Sequence, residues 1–187
     1  MSSETYELAQ YLIQTIKQAK QLVNCTIASR MLEIKDIFPV CYDVKQETEP
    51  DEGELMKCSE TLKAATESAS RIFTAALQDC HLLIMALEYM QPIDESGAKA
   101  KQELCARVSA AEQMAYEYFR LIPLYHLTRA DIAVNKQKFP QVKDFADALQ
   151  KMDNLQLMAV GSFLKQLFHR YSEIHDMAIY AFKKMTP

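Results

Sequence analysis

The sequence predicts an all-α protein, a single domain over 1–187 built as an up-down-up-down bundle of four long helices. Three observations predict it. Apolar residues recur at steps of three and four along most of the chain, the spacing of one helical face. Proline-marked or polar runs interrupt that spacing at only three places. The chain also holds just three glycines, Gly53, Gly97 and Gly161, too few for the tight turns of an all-β fold. The expected helices span about 4–38, 54–91, 98–135 and 153–185.

The first helix begins near Ser3, a residue suited to an N-cap. Leu8, Leu12, Ala19, Val23, Ile27, Ile34 and Phe38 fall on one face, and Pro39 marks the end because proline lacks an amide donor. An acidic loop over 42–54 follows, almost free of large apolar residues and read as a solvated linker. In the second helix Leu62, Ala65, Ala69, Ile72, Ala76, Leu83, Leu87 and Met90 keep the spacing until Pro92. The connection Ile93-Asp94-Glu95-Ser96-Gly97 is so short that the helices on either side must be antiparallel neighbours. The third helix carries Leu104, Val108, Ala111, Ala115, Tyr118, Ile122 and Tyr125, with Pro123 inside it. A kink near 119–123 is expected there rather than a break. The run from Lys136 to Asp144 forms the third connection, with Phe139 and Val142 expected to tuck against the bundle.

The fourth helix has the clearest pattern. Leu157, Val160, Leu164, Leu167, Tyr171, Ile174, Ala178, Ala181 and Met185 alternate steps of three and four, a seam suited to knobs-into-holes packing. Phe163, Phe168, Ile179, Tyr180 and Phe182 lie off that seam. They mark either a wide core face or burial against neighbouring subunits.

Composition narrows the function. A net charge of −4, with no basic stripe, speaks against nucleic acid as a partner. No apolar run reaches the roughly 18 residues of a membrane span, and the N-terminus shows no secretory pattern. The five cysteines (Cys25, Cys41, Cys58, Cys80, Cys105) form no CxxC pair, so they read as reduced thiols of a cytoplasmic or nuclear protein. The ten methionines fit gap-filling between helices.

No catalytic constellation emerges. His81, His126, His169 and His175 lie in helical runs without partners at metal-binding spacing, and Glu173 stands two residues from His175 rather than the three of a Glu-x-x-His di-iron pattern. No HExxH, Walker A or GxSxG sequence occurs. No enzyme activity, metal or cofactor is expected.

Three stretches carry a resemblance. They are Tyr125-His-Leu-Thr-Arg-Ala-Asp131, Lys138-Phe-Pro-Gln-Val-Lys-Asp-Phe145, and His169-Arg-Tyr-Ser-Glu-Ile-His-Asp-Met177 with the closing Lys183-Lys-Met-Thr-Pro187. Their residues and spacing resemble the REG (eleven-S) proteasome activators. Fainter similarity reaches back through Cys80 and Pro92 to Leu22-Val23 and Leu32-Glu33. The resemblance implies a four-helix protomer, a heptameric ring, and an ATP-independent, non-catalytic cap that opens the gate in the α-subunit ring of the core proteasome to peptides. It implies an activation loop formed by Ile93, Asp94, Glu95, Ser96 and Gly97. It also implies that the helix 3–4 linker, with Lys138, Phe139, Pro140, Val142 and Asp144, faces the same end.

The loop is shorter than the family's and lacks the asparagine of typical members, and the insert between the first two helices is reduced to the acidic loop. Family members continue past the proline matching Pro187 into a docking tail, so the chain ending there is expected to bind the proteasome weakly. A monomeric helical adaptor that receives partner helices in a groove is the competing expectation.

Overall fold

A computed structural model of the chain describes residues 3–42 and 59–186. Helix α1 (Ser3–Gln21) passes through a π-helical turn at Leu22–Thr26 into α2 (Ile27–Tyr42), and together they make the first rod. Helix α3 (Glu60–Tyr89), α4 (Glu95–Lys138) and α5 (Asp144–Lys183) are the other three. Two short strands, β1 (Gln91–Pro92) and β2 (Met185–Thr186), complete the order. The first rod packs on α3 and α5, and α4 packs on α3 and α5, so each rod touches its neighbours around a square.

The connections set the directions. Only Met90–Asp94 separates α3 from α4, and only Phe139–Lys143 separates α4 from α5, so each of these pairs runs antiparallel. The direction of the first rod follows from two contacts. Arg30 meets Asp79 while Cys41, farther along, meets Gly161 on α5, so this rod runs against both α3 and α5.

The core follows the sequence spacing closely. Every apolar position expected in the second and fourth helices is buried. In the third helix only Ile122 is half-buried. Midway along the bundle the Tyr118 ring stacks on Phe73, centroids 4.2 Å apart, and Phe163 meets both rings edge-on. Off-seam Phe163, Phe168, Ile179 and Phe182 are partly buried against the core, as a wide core face requires, while Tyr180 is exposed.

A polar node crosses this core. Tyr171 donates to Asp79 Oδ2 at 2.7 Å, and Arg30 Nε reaches the same oxygen at 3.4 Å. Burial raises the Asp79 carboxyl above its ordinary range, against the opposing effects of Tyr171 and Arg30. Desolvation and the Asp79 charge also push the Cys80 thiol up to about 12. This thiol is a packing group and not a reactive one. One close approach holds the first rod to α5: a Cβ added at Gly161 would lie 2.7 Å from Cys41 Cβ.

Several expectations need correction. Helix α2 continues through Pro39 to Tyr42, beyond the expected end near 38, whereas α4 runs through Pro123 without a break, as expected. Proline costs these helices one hydrogen bond each, and packing against neighbours outweighs that loss. Helix α5 starts at Asp144, about two and a half turns before the expected 153, with Asp144 and Asp147 facing the positive end of its dipole. The acidic loop and the expected start of the second helix near 54 lie outside the described residues.

Ile16 and Leu22 join Ala19, Val23, Ile27 and Ile34 in the core, Ile16 one turn before Ala19 on the same face and Leu22 at the start of the π turn. Leu8 is not on a buried face; it is 58% exposed. Counted from Arg30 at about 1.5 Å per residue, Ile16 lies level with Met185 and Pro92. The part of α1 before Thr15 therefore projects past that end of the bundle, leaving Tyr6, Leu8, Tyr11 and Ile13 in solvent.

Candidate functional site

The turn between α3 and α4 is built from residues that end one helix and start another. Met90 leaves the helical region at ψ 132° and is fully buried, while Lys101 of α4 donates from Nζ to its carbonyl at 2.9 Å. That ammonium satisfies an α3 carbonyl left over at the helix end. Asp94 then adopts extended backbone and caps α4, its Oδ1 accepting from Gly97 N at 2.6 Å. Glu95, Ser96 and Gly97, expected in the connection, are thus the first turn of α4. Of the five, Ile93, Asp94, Glu95 and Ser96 face solvent and Gly97 is buried.

The end of α5 backs this turn. Ile93 N donates to Lys184 O at 3.0 Å, and the antiparallel pair β1–β2 aligns Gln91 with Thr186 and Pro92 with Met185. Lys184 Nζ stands 3.6 Å from Asp94 Oδ2. The Gly97 amide, and then the Lys184 cation, hold the Asp94 carboxyl below the ordinary carboxylate range. Ser96 Oγ and the Tyr180 hydroxyl share a hydrogen bond of 3.0 Å. Gly97 is needed because a Cβ there would come 2.5 Å from the Lys184 carbonyl oxygen.

The helix 3–4 linker lies elsewhere. Helix α4 has 44 residues and so a length of about 65 Å. It separates the turn at Asp94 from Lys138, and the expectation that both face one end is overturned: they occupy opposite ends. Lys138 closes α4, Phe139 is its C-cap, Pro140 is exposed, Val142 N bonds to Phe139 O, and Asp144 opens α5. Phe139 and Val142 do not tuck in; they are 49% and 38% exposed. The α4–α5 hairpin extends past Tyr42 of α2 and Glu60 of α3, so among the described residues no helix lies beneath its tip.

Below that tip, Arg129 grips Asp153 with Nε on Oδ1 at 2.9 Å and Nη2 on Oδ2 at 3.2 Å, and Tyr125 donates to Oδ1 at 2.7 Å. This buried fork explains the Tyr125–Asp131 stretch as a clamp between helices. An open groove of about 330 Å³ runs alongside, lined by Leu121, Leu124, Thr128, Leu155 and Ala159 among others.

Of the residues expected in the connection, only Ile93 and Asp94 lie outside the helices, and sequence reasoning missed the partners Tyr180, Lys184, Met185 and Thr186. The signal available was the placement of Met185 on the α5 seam, which carries the chain end to the level of Met90. Among the described residues no group of three or more His, Cys, Asp or Glu could hold a metal ion. No helix among them is long and apolar enough to cross a membrane.

An ordered, solvent-facing turn at one end and a clamped hairpin at the other define an elongated, antiparallel four-helix bundle. The model of the family described as proteasome activator PA28, C-terminal, matches residues 55–187, and the chain belongs to that family. Similar curated relatives include the proteasome activator complex subunit 3 of Homo sapiens, of Mus musculus and of Gallus gallus. Each is 22% identical over 135 residues, covering 70% of this chain and 53% of the relative. The chain thus spans about half the length of the curated relatives it matches. Among solved structures, the crystal structure of the 11S subunit of the Plasmodium falciparum proteasome, PA28, is similar. It has a TM-score of 0.75 at 14% identity, covering 98% of this chain and 94% of that one, which is a likeness of fold.

Proposed function

We propose that this chain is a subunit of a ring, expected to be a heptamer, that caps the α-subunit ring of the core proteasome and opens its gate to peptides. It does so without ATP and without chemistry of its own, in the cytoplasm, the nucleus or both. The observation that carries this reading is the turn at Ile93–Ser96, which is exposed yet braced on both sides. A contact surface that must displace another protein's segment works best when it is already ordered, because ordering costs are then not drawn from binding. Repeated around a ring, such turns would press on several gate segments together.

The test adds purified chain, as it stands and with a family-like tail appended, to core proteasome and a short fluorogenic peptide without nucleotide. At least a several-fold rise in hydrolysis is the expected result with the tail. No rise in either case would contradict gate opening.

A second reading is favoured by the open groove between α4 and α5. There Leu124 and Leu155 are 54% and 65% exposed, a face that fits an amphipathic helix of a partner. Such an adaptor would work as a monomer, and its mass in solution separates it from the ring.

A further inference from the structure

The turn has little packing of its own. Ile93, Asp94, Glu95 and Ser96 are exposed, so its position depends on what is bonded to it. Apart from the two helices it joins, those bonds all lead to the end of α5. They are the amide of Ile93 on the Lys184 carbonyl, the β1–β2 pairing, Lys184 on Asp94, and Thr186 Oγ1 donating to Gln91 O at 3.4 Å. Ser96 and Tyr180 add a side-chain bond one turn earlier on α5. A two-residue pairing is marginal by itself. Here several bonds share one geometry, and Gly97 lets the Lys184 carbonyl come so close that the turn cannot slide past it.

We propose that Lys184 and the Met185–Thr186 strand are positioning elements for the turn, so that the chain leaving α5 and the 92–97 turn move as one body. The proposal rests on the activator reading and deepens it: whatever holds the chain beyond α5 would also set the height of the gate-facing turn. Lys184 acts through Asp94 and Ile93 and needs no contact with the gate itself.

The experiment compares the purified chain with Gly97→Ala, Lys184→Ala and Lys184→Arg. Alanine is the better helix former at position 97, so any loosening there comes from its Cβ meeting the Lys184 carbonyl. Gly97→Ala is expected to speed hydrogen exchange at the Ile93 amide by about tenfold or more, leaving mid-helix amides of α3 and α5 unchanged. With core proteasome and the family-like tail appended to each variant, Lys184→Ala is expected to lower the plateau of stimulation about two- to threefold more than it raises the half-saturating concentration, and Lys184→Arg restores the plateau.

Unchanged exchange at Ile93 in Gly97→Ala would overturn the coupling. So would a full plateau with weaker half-saturation in Lys184→Ala, since that makes the strand a docking contact only. If the wild-type chain gives no stimulation either as it stands or with the tail appended, the activator reading fails, and exchange at Ile93 alone still decides the coupling.

Discussion

Asp79 shows how much a single buried carboxylate can decide. It sits among Ala76, Cys80 and Leu83 on α3, yet it takes a hydrogen bond from Tyr171 and faces Arg30. Asp79→Ala would leave the Tyr171 hydroxyl buried without an acceptor, an expected loss of about 2–3 kcal/mol in denaturant unfolding. Desolvation raises its folded pKa above the ordinary value, so the native state favours the protonated form. Its stabilising contribution is then fullest below about pH 4 and is lost as pH rises through the raised folded value. The stability advantage of wild type over Asp79→Asn should therefore narrow as pH rises above about 4; an advantage that widens would contradict the assignment. Nothing in the sequence announced this node, because Arg30, Asp79 and Tyr171 are brought together only when three helices pack. The same is true of Asp94 and Lys184 in the turn.

At the scale of elements, legibility tracked how local the signal was. The seam from Leu157 to Met185 is a pattern within one helix, and every position in it is buried as expected. The π turn at Leu22–Thr26 left no such trace, since it alters hydrogen bonding without altering composition. Two-residue strands carry no periodicity either, so β1 and β2 were invisible. Pro39 misled, since a proline ends a free helix but a helix held along its length tolerates one, whereas Pro123 sits inside an unbroken α4 as expected.

Gly161 offers a test at this scale. Alanine there gains up to about 1 kcal/mol of helix propensity, but its Cβ must push Cys41 and Tyr42 away, and overpacking typically costs about 1–3 kcal/mol. The second effect should win, giving Gly161→Ala a lower unfolding midpoint. A raised midpoint would mean that α2 and α5 can separate freely.

For the whole molecule, antiparallel connectivity puts the turn and the chain end at one end of a long rod and the α4–α5 hairpin at the other. The family's linker signature, read as part of the gate-facing surface, is a hairpin tip on the far side. The fork of Arg129 on Asp153 beneath it accounts for the Tyr125–Asp131 stretch rather than for the tip. What no pattern within one chain could decide is how many copies assemble. Tyr180 and the overhanging residues Tyr6, Leu8, Tyr11 and Ile13 stay exposed in one copy, as do Leu124 and Leu155 along the groove. A closed ring would give such surfaces neighbours.

The central claim is that this bundle is one stave of such a ring, and its mass in solution tests that most directly. Sedimentation equilibrium at micromolar concentration should return about seven times the 21.4 kDa chain mass, roughly 150 kDa. A single species of 21.4 kDa throughout that range would contradict the ring and leave the groove-binding adaptor as the better account.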